Sequence, residues 1–529
     1  MLLNRNNSLS ELYNDYQGSV FIYSLPSWIP YNYLIEELKD KLLKNNPSCS
    51  FLHLNGNFPP SKNITFRAVS ILILLFNLNF IKDLVINFFR LIFLRFAFKE
   101  SLQLSNISVL NAMAGDIIAA EYLRRGHGKG VLKIDFRYLL IYFKYLVLGH
   151  LFFKYINQLS QGIPKEKIIF HFPETSFFDE MRRRILIKHG FNLEYSYNKY
   201  KDKLHLFKYK HNFLGRIHEY TQRIEGLDDD IFIQAKKAMR MRLDEGSQIW
   251  TANPTDVNNN LEIISSSDSI LDTNKPRALL CLHAVADDQF RCGLDCFKSI
   301  DDFHKFTIEN LLNLNYQILL KAHPGVVSDI HPDKALVDKE YLIGLFKSFG
   351  LDYEESLISK DSNLHKSINI NDLYSINPKV SLGAISKVCK ILVLTHHGSI
   401  TFEARAMNLD VIKYKYCKAR EFDYAHSWKN KKEYISLLSH YKKHLCLPKS
   451  LFSDSYVDVL ANLSQRSRFT NYNDMFFNIS EKYLPDSKLR RDIKNIEELK
   501  DLIMQIDNLL KDNSSIRSEL SYNLRGLLG

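Results

Sequence analysis

The stretch KILVLTHHGSITFEARAMNLDVIKYKY, residues 390–416, has the pattern that decides the fold. The uninterrupted apolar run at 391–394 is typical of a strand that is buried on both faces of a parallel sheet. A Gly-Ser turn, a helical pattern at 400–407 and a second apolar run at 411–414 follow it. The order of strand, turn, helix and strand predicts a βαβ unit and therefore a parallel sheet.

The turn of this unit has the residues of an anion site. Free backbone N–H groups and the positive end of a helix attract phosphate. Gly398 allows a ligand close to the backbone, and Ser399 can cap the helix and donate to an oxygen. Glu403 lies one turn further on the same helix face, where a carboxylate could accept two ribose hydroxyls. The alternative is a capped helix after a core strand, with Glu403 paired to solvent or to Arg405.

Length and charge limit the possible classes of protein. A chain of 529 residues is too long for one core, so we expect two domains. The net charge of +11 is spread along the chain and suits an anionic partner, such as a membrane surface, a phosphorylated substrate or nucleic acid. The sequence has no zinc-finger spacing and no RNA-binding aromatic signature, so we expect no nucleic-acid partner. Seven cysteines and an N-terminus without an apolar signal core favour a reduced, cytoplasmic protein.

The pattern along the chain predicts two Rossmann-like α/β domains. Predicted strands at 19–25 and 50–54, with a helix at 33–43 between them, begin an α/β layer. A polar segment separates it from a second set of alternating strands and helices. The predicted units are an N-terminal α/β domain with apolar basic helices at 1–245, a linker at 246–276, a C-terminal α/β domain at 277–484 and a C-terminal amphipathic helix within 485–529.

Residues 65–98 are the most apolar region. Their longest stretch without charge, 68–81, is shorter than the roughly 20 residues that a spanning helix needs, so we expect no transmembrane helix there. Basic residues among many Phe and Leu suit helices that lie on an anionic membrane surface. The slightly favoured alternative is core helices of the first domain, whose Lys and Arg head groups reach water. Residues 136–156 repeat the pattern.

Several polar residues follow predicted strands of the second domain, at 277–286, 317–321 and 391–394. Because the carboxyl ends of parallel strands meet at one edge of a sheet, we expect these residues to converge. Histidine, lysine and helix N-terminal amides would form a cationic pocket that stabilises a nucleotide leaving group. Each residue taken singly could instead be structural. The candidates are His283, Asp287, Asp288, Lys321, His323, Pro324, His397, Gly398, Ser399 and Glu403.

The first domain offers two carboxylates as candidate bases. Asp116 opens a predicted helix, and Glu174 follows a predicted strand at 167–172. A carboxylate after a strand lies where α/β folds keep their sites. Acids in the first turn of a helix are also explained by the helix dipole alone.

Two motifs carry a resemblance to a known family. ILLKAHP at 318–324, followed by VLTHHGSITFEARAMNLDVIKY at 393–414, resembles the nucleotide-binding half of GT-B glycosyltransferases. The closest likeness is to bacterial capsule and surface-polysaccharide proteins, including capsule Kdo transferases and bacterial sialyltransferases. CLHAVADDQF at 281–290 is similar to the start of that half, and NAMAGDIIAAEYLRR at 111–125 is more loosely similar to a segment of the first domain. The chain departs from the family with His-His-Gly-Ser in the turn and with Asn-Leu-Asp at 408–410, where a Gly-x-Pro is usual.

The resemblance implies a GT-B fold, with two Rossmann-like domains facing a cleft. It implies that His323 contacts the donor phosphate, that Pro324 shapes the turn and that Gly398 and Ser399 bind phosphate, with Glu403 a candidate for the ribose. In such enzymes the base comes from either domain, so Asp287, Asp288, Asp116 and Glu174 remain open. The sequence has no Asp-x-Asp motif, so we expect metal-independent chemistry and no cofactor besides the nucleotide-sugar co-substrate.

Three functional hypotheses follow. The first is a glycosyltransferase that moves a sugar from a nucleotide-activated donor, with a CMP-sugar as one candidate, to a growing polysaccharide or a lipid-linked glycan. It would be cytoplasmic and peripheral on the inner face of the plasma membrane. The second is a nucleotide-sugar epimerase of the same fold. The third is a non-catalytic, membrane-attached assembly factor with a degenerate sugar site.

Overall fold

The computed structural model describes two α/β parts of the chain. In the N-terminal half it describes residues 20–23, 50–53, 74–171, 177–200, 203–208, 210–212 and 215–217. In the C-terminal half it describes residues 275–447 apart from 286–289, 291–293, 324–325, 327–331, 352–363, 369, 377, 379, 381–384, 386–390, 397–399, 402–403, 405–408 and 416–425. The predicted helices at 33–43 and within 485–529, and nearly all of the predicted linker, lie outside these residues.

The first sheet is built around parallel strands, as its apolar sequence runs predict. The predicted strands at 19–25 and 50–54 are confirmed, with ends trimmed by a few residues, and they pair in parallel. The order is β2-β1-β5-β6-β7; all neighbours are parallel except β6 and β7. The strands of the N-terminal half are β1 (Val20–Tyr23), β2 (Ser50–His53), β3 (Ser108–Val109), β4 (Ala112–Met113), β5 (Ile168–His171), β6 (Asn192–Tyr200), β7 (Lys203–Lys208), β8 (Lys210–Asn212) and β9 (Gly215–Ile217).

Four described helices accompany this sheet: α1 (Leu78–Ala97), α2 (Gly115–Arg124), α3 (Phe136–Leu159) and α4 (Phe177–Lys188). Helix α2 packs against α3 and α4, and nearly all of its residues are buried. Its first residue must be glycine, because a Cβ at Gly115 would collide with the carbonyl oxygen of Leu104. The absence of a side chain at position 115 therefore lets the start of α2 approach the backbone of Leu104 closely.

Helix α1 corrects the favoured interpretation of residues 65–98 as core helices. Only one stripe of α1 is buried, and it contains Asp83 and Asn87 besides three apolar residues. Most of the other apolar side chains on the helix are exposed. The periodicity predicted a helix correctly, but its most apolar side faces outward.

The second sheet has seven strands in the order β12-β13-β11-β10-β14-β15-β16. Six of them are parallel, and β12 joins the edge antiparallel to β13. The strands are β10 (Arg277–Cys281), β11 (Gln317–Lys321), β12 (Leu364–Lys366), β13 (Leu373–Ile376), β14 (Leu392–Leu394), β15 (Asp410–Tyr414) and β16 (His426–Trp428). The helices described with them are α5 (Ile300–Asn313), α6 (Pro332–Ser348) and α7 (Lys431–His444).

The strand order identifies the type of sheet. When the six parallel strands are numbered along the chain, their spatial order is 3-2-1-4-5-6, the order of a doubly wound Rossmann sheet. The chain moves from β10 to β11 on one side and later returns to β14 on the other side of β10. The prediction of a parallel α/β sheet in this half is confirmed, and its switch point lies between β10 and β14.

Candidate functional site

The crevice between β10 and β14 is the place where a sheet of this order binds its ligand, because the connections from the two strands leave in opposite directions. The side chains that the structure describes there are His283, two residues after β10, and Thr395 and His396, directly after β14. Rings of His283 and His396 lie 6.3 Å apart, edge to face. Residues separated by more than a hundred positions in the sequence thus meet at one point.

His283 connects the two strand ends. Its Nε2 lies 3.1 Å from the Thr395 hydroxyl oxygen and accepts a hydrogen bond of 3.2 Å from the backbone N–H of His396. Because a backbone N–H can only donate, Nε2 carries no proton. We therefore assign His283 as a neutral ring with its proton on Nδ1.

A buried relay holds the backbone of His283 in place. His304 on α5 accepts the His283 N–H at its Nε2, 3.2 Å away, so its Nδ1 donates to the Tyr341 hydroxyl at 2.8 Å. The Tyr341 hydroxyl is in turn hydrogen-bonded to the side chain of Asp301. Burial, and secondarily the electrostatic effect of His396, lowers the pKa of His304 to about 3. His304 therefore stays neutral, as the relay requires.

His396 is held by a carboxylate that sequence reasoning missed. Its Nε2 lies 2.5 Å from Oδ2 of Asp295, and both side chains are nearly inaccessible to solvent. Its ring stacks on Tyr414 with centroids 5.0 Å apart. No local signal could have identified Asp295, because the two partners are 101 residues apart and meet only through the strand order.

The segment that carries Asp295 is tied to the N-terminal half. The backbone N–H of Asp295 donates to the Ser101 hydroxyl at 2.8 Å, and the Ser101 N–H donates to the Phe297 carbonyl at 2.7 Å. Leu294 and Phe290 pack into the same hydrophobic core as α2. The partner of His396 is therefore positioned from outside its own sheet.

Lys321 and His323 lie at the same edge of the sheet as His283. Cys281 and Lys321 are register partners, and the Leu282 N–H donates to the Lys321 carbonyl at 2.8 Å. His283 and His323 each follow these partners by two residues. Lys321 is buried, and its ammonium group donates to the Pro378 carbonyl at 2.9 Å, whereas His323 is exposed.

Asp116 is fully buried in an ion cluster. It has 0% exposure, and its two carboxylate oxygens each accept a hydrogen bond of 2.6 Å from the Arg184 guanidinium. Glu180 completes the cluster by accepting from Arg184 at 2.9 Å and from Arg183 at 2.7 Å. These contacts place Asp116 in the core of the N-terminal half, and its predicted role as a base stays a prediction.

The remaining predicted site residues lie outside the described part of the chain: Asp287, Asp288, Glu174, Pro324, His397, Gly398, Ser399 and Glu403. Their predicted roles stay predictions. Within the described ranges, no group of three or more His, Cys, Asp or Glu side chains is arranged to hold a metal ion. The histidines at the crevice instead bond to a carboxylate, a hydroxyl and a backbone N–H group.

Comparisons with known proteins give distant matches only. No family model and no curated protein matches the sequence. Among solved structures, the KpsC beta Kdo 2,4 transferase of Thermosulfurimonas dismutans is similar at 10% identity and a TM-score of 0.26, over 50% of this chain and 74% of that one. The UDP-GlcNAc 2-epimerase of Methanocaldococcus jannaschii, in complex with UDP-GlcNAc and UDP, is similar at 13% identity and a TM-score of 0.25, over 58% of this chain and 75% of that one. Scores this low carry no weight for function, which has to be inferred from the chain's own geometry.

Proposed function

We propose that the crevice between β10 and β14 binds a nucleotide-activated sugar and that the protein is a glycosyltransferase of surface-polysaccharide synthesis. The observation that carries the proposal is the meeting of His283 and His396 at the switch point of a 3-2-1-4-5-6 sheet. Sheets of this order bind nucleotides there. The sequence resemblance to the nucleotide-binding half of GT-B enzymes independently supports the same edge of the sheet.

The groups around the crevice suit a phosphate leaving group. His283 lies at the crevice, and exposed His323 follows the neighbouring strand at the same edge. The turn at 398–399 begins two residues after His396 in the sequence and would add backbone N–H groups. Fixed donors and positive groups that face a developing phosphate charge stabilise the transition state of transfer.

The proposal divides the remaining roles. His396, held by Asp295, positions the His283 ring through its backbone N–H. The acceptor, a growing polysaccharide or a lipid-linked glycan, approaches from the N-terminal half. Its hydroxyl proton is taken by Asp287, Asp288 or Glu174, whereas Asp116 has no part in the chemistry because Arg184 holds it in the core.

A thermal-shift panel of CMP, UDP, GDP and ADP tests nucleotide binding. A ligand that binds only the native state raises the unfolding midpoint, so we expect one nucleotide to raise it and thereby to identify the donor class. If none of the four shifts the midpoint, the proposed site is wrong.

A pair of histidine variants tests the location of the site. His323→Ala should weaken binding of that nucleotide about 10- to 100-fold, the loss expected for one hydrogen bond to a charged group. His444→Ala is the matched control, because His444 is also exposed but lies at the far end of α7. Equal affinity in the two variants would place the phosphate elsewhere.

Product analysis then separates the possible activities. A transferase forms a glycosylated product from the nucleotide sugar only when a glycan acceptor is present. Conversion of the sugar without any acceptor would indicate an epimerase. A protein without affinity for any nucleotide, yet able to bind lipid vesicles, would fit a non-catalytic assembly factor.

A further inference from the structure

Helix α1 has two polar residues on its buried side and many apolar residues on its exposed side. Its buried stripe includes Asp83, which accepts from the Leu110 N–H at 2.7 Å and lies 3.0 Å from the ring of His150. The stripe also includes Asn87, which bonds to both backbone groups of Ser108 at 3.0 Å. The inward side of α1 is thus held partly by polar contacts.

The outward side of α1 is apolar. Phe89 and Phe93 are each 66% exposed, and Phe96 is 83% exposed. Monomeric soluble proteins rarely expose contiguous apolar patches of this kind, so such a surface marks a contact with a partner or a membrane. The exposed side chains, here named the α1 face, are Leu75, Phe76, Leu78, Ile81, Val85, Ile86, Phe88, Phe89, Ile92, Phe93 and Phe96.

The neighbouring helix α3 also has exposed apolar residues. It packs against α1, and the Tyr142 hydroxyl donates to the carbonyl of Asp83. Its exposed apolar residues Phe136, Leu140 and Phe143 lie at the spacing of one helical stripe. The helix is long and apolar enough to cross a membrane, but half of that stretch is buried inside the protein, where α3 packs against α2 and α4. We therefore treat α3 as a core helix with one exposed side.

The charges of the two helices have one sign. Helices α1 and α3 together contain six Lys and Arg residues and a single acid, Asp83, which is buried. At about 3.6 residues per turn, Arg90 and Arg95 lie on the two borders between the α1 face and the buried stripe, whereas Lys82 lies within the α1 face, near the N-terminal end of the helix. Basic borders beside a mostly apolar face are the pattern of a helix that lies in the interface of an anionic bilayer, and the long side chain of Lys82 can extend its ammonium group to the head groups.

We propose that the α1 face is seated in the surface of an anionic lipid bilayer, with its Phe and Ile side chains in the acyl boundary and its basic residues at the head groups. The helix lies along the surface, because four charged residues within its twenty positions do not suit a span. A second copy of the chain is a poorer occupant, since a symmetric contact would set the cations of both copies against each other. The inference goes beyond the proposed nucleotide site and does not depend on it.

Sedimentation of the full chain with lipid vesicles tests this proposal. Vesicles of phosphatidylcholine mixed with an equal part of phosphatidylglycerol should bind the protein, and pure phosphatidylcholine should bind it much more weakly. Lys82→Gln with Arg95→Gln should lower the partition coefficient about 25-fold, from roughly fivefold for each cation near an anionic surface. Phe89→Ser with Phe93→Ser should lower it on the order of 100-fold, because two largely exposed rings would no longer enter the acyl boundary.

Matched controls use exposed residues of the C-terminal half. Leu336→Ser with Ile368→Ser removes apolar side chains that are 58% and 90% exposed, and Lys432→Gln with Lys442→Gln removes two exposed cations. Both controls should sediment like the wild type. Equal binding to neutral and anionic vesicles, no binding to either, or equal losses in the control variants would each overturn the proposal. A dimer in gel filtration that Phe89→Ser with Phe93→Ser converts to monomer, without vesicle binding by the wild type, would assign the α1 face to a second copy instead.

Discussion

Replacing Asp116 with Asn removes one charge from the most deeply buried ion cluster that the structure describes in the N-terminal half. Arg184 is only 1% exposed and bonds both oxygens of Asp116. The loss of one partner of a buried pair costs about 3–5 kcal/mol, because the remaining charge is left without compensation. Here Glu180 still accepts from Arg184 at 2.9 Å, so we expect the lower end, about 3 kcal/mol. This corresponds to a roughly 150-fold rise in the unfolding equilibrium constant.

Urea unfolding followed by circular dichroism measures this loss. The double variant Asp116→Asn with Arg184→Met should recover at least half of it, because no uncompensated guanidinium then remains in the core. Glu121→Gln is a control with more exposed partners: Arg125 and Lys144 are 49% and 42% exposed, so its loss should stay below about 1 kcal/mol.

Two results would contradict this account of Asp116. The first is a stability of the Asp116→Asn variant within about 0.5 kcal/mol of the wild type, the range of ordinary surface substitutions. The second is a variant that keeps wild-type stability and nucleotide affinity but loses turnover. The second result would return Asp116 to the set of candidate bases.

Two further predictions concern buried contacts near Tyr341. The pKa of His304 is lowered from 6.5 to about 3, so below pH 6.5 the unfolded chain takes up a proton that the native protein excludes. The free energy of unfolding of the wild type should therefore fall with acidification between pH 6.5 and about 3. The fall should be steeper than in His304→Asn by up to about 1.4 kcal/mol per pH unit. Parallel pH profiles of the two proteins would disprove this prediction. Gly130 and Gly162 both have φ near +80°, so an alanine is strained at either position. At Gly130 a Cβ would also meet the ring of Tyr341 at 2.5 Å, whereas at Gly162 it would meet nothing. Gly130→Ala should therefore lower the free energy of unfolding in urea by about 1–3 kcal/mol more than Gly162→Ala. Equal losses in the two alanine variants would show that the ring moves aside freely.

The sequence predicted the second sheet well, because parallel strands that are buried on both faces have continuous apolar runs. QILLK was placed at 317–321, where the structure has β11, and the strand after the Gly-Ser turn begins one residue earlier than predicted. The predicted strand at 277–286 ends at Cys281, where the chain turns towards His283. The helices α6 and α7 were not predicted.

The candidate site was predictable only in its local part. His283 and His323 follow strands in the sequence, so the edge of the sheet that they share could be inferred. Asp295, Thr395 and His304 could not, because their contacts depend on which strands are neighbours. The hydrophobic periodicity could not predict which side of α1 faces inward, because apolar residues surround most of the helix. Only Asp83 and Asn87, four positions apart, distinguish the buried side.

The hydrogen bonds between Ser101 and the segment 295–297 have a mechanical consequence. The ring of His396 is hydrogen-bonded to the Asp295 carboxylate. The backbone N–H and carbonyl of Asp295 are in turn hydrogen-bonded to the hydroxyl of Ser101 in the N-terminal half. Any relative movement of the two halves would therefore either separate the Asp295 carboxylate from the His396 imidazole or break the hydrogen bonds to Ser101. The position of His396 at the end of β14 therefore depends on the contact between the two halves of the chain.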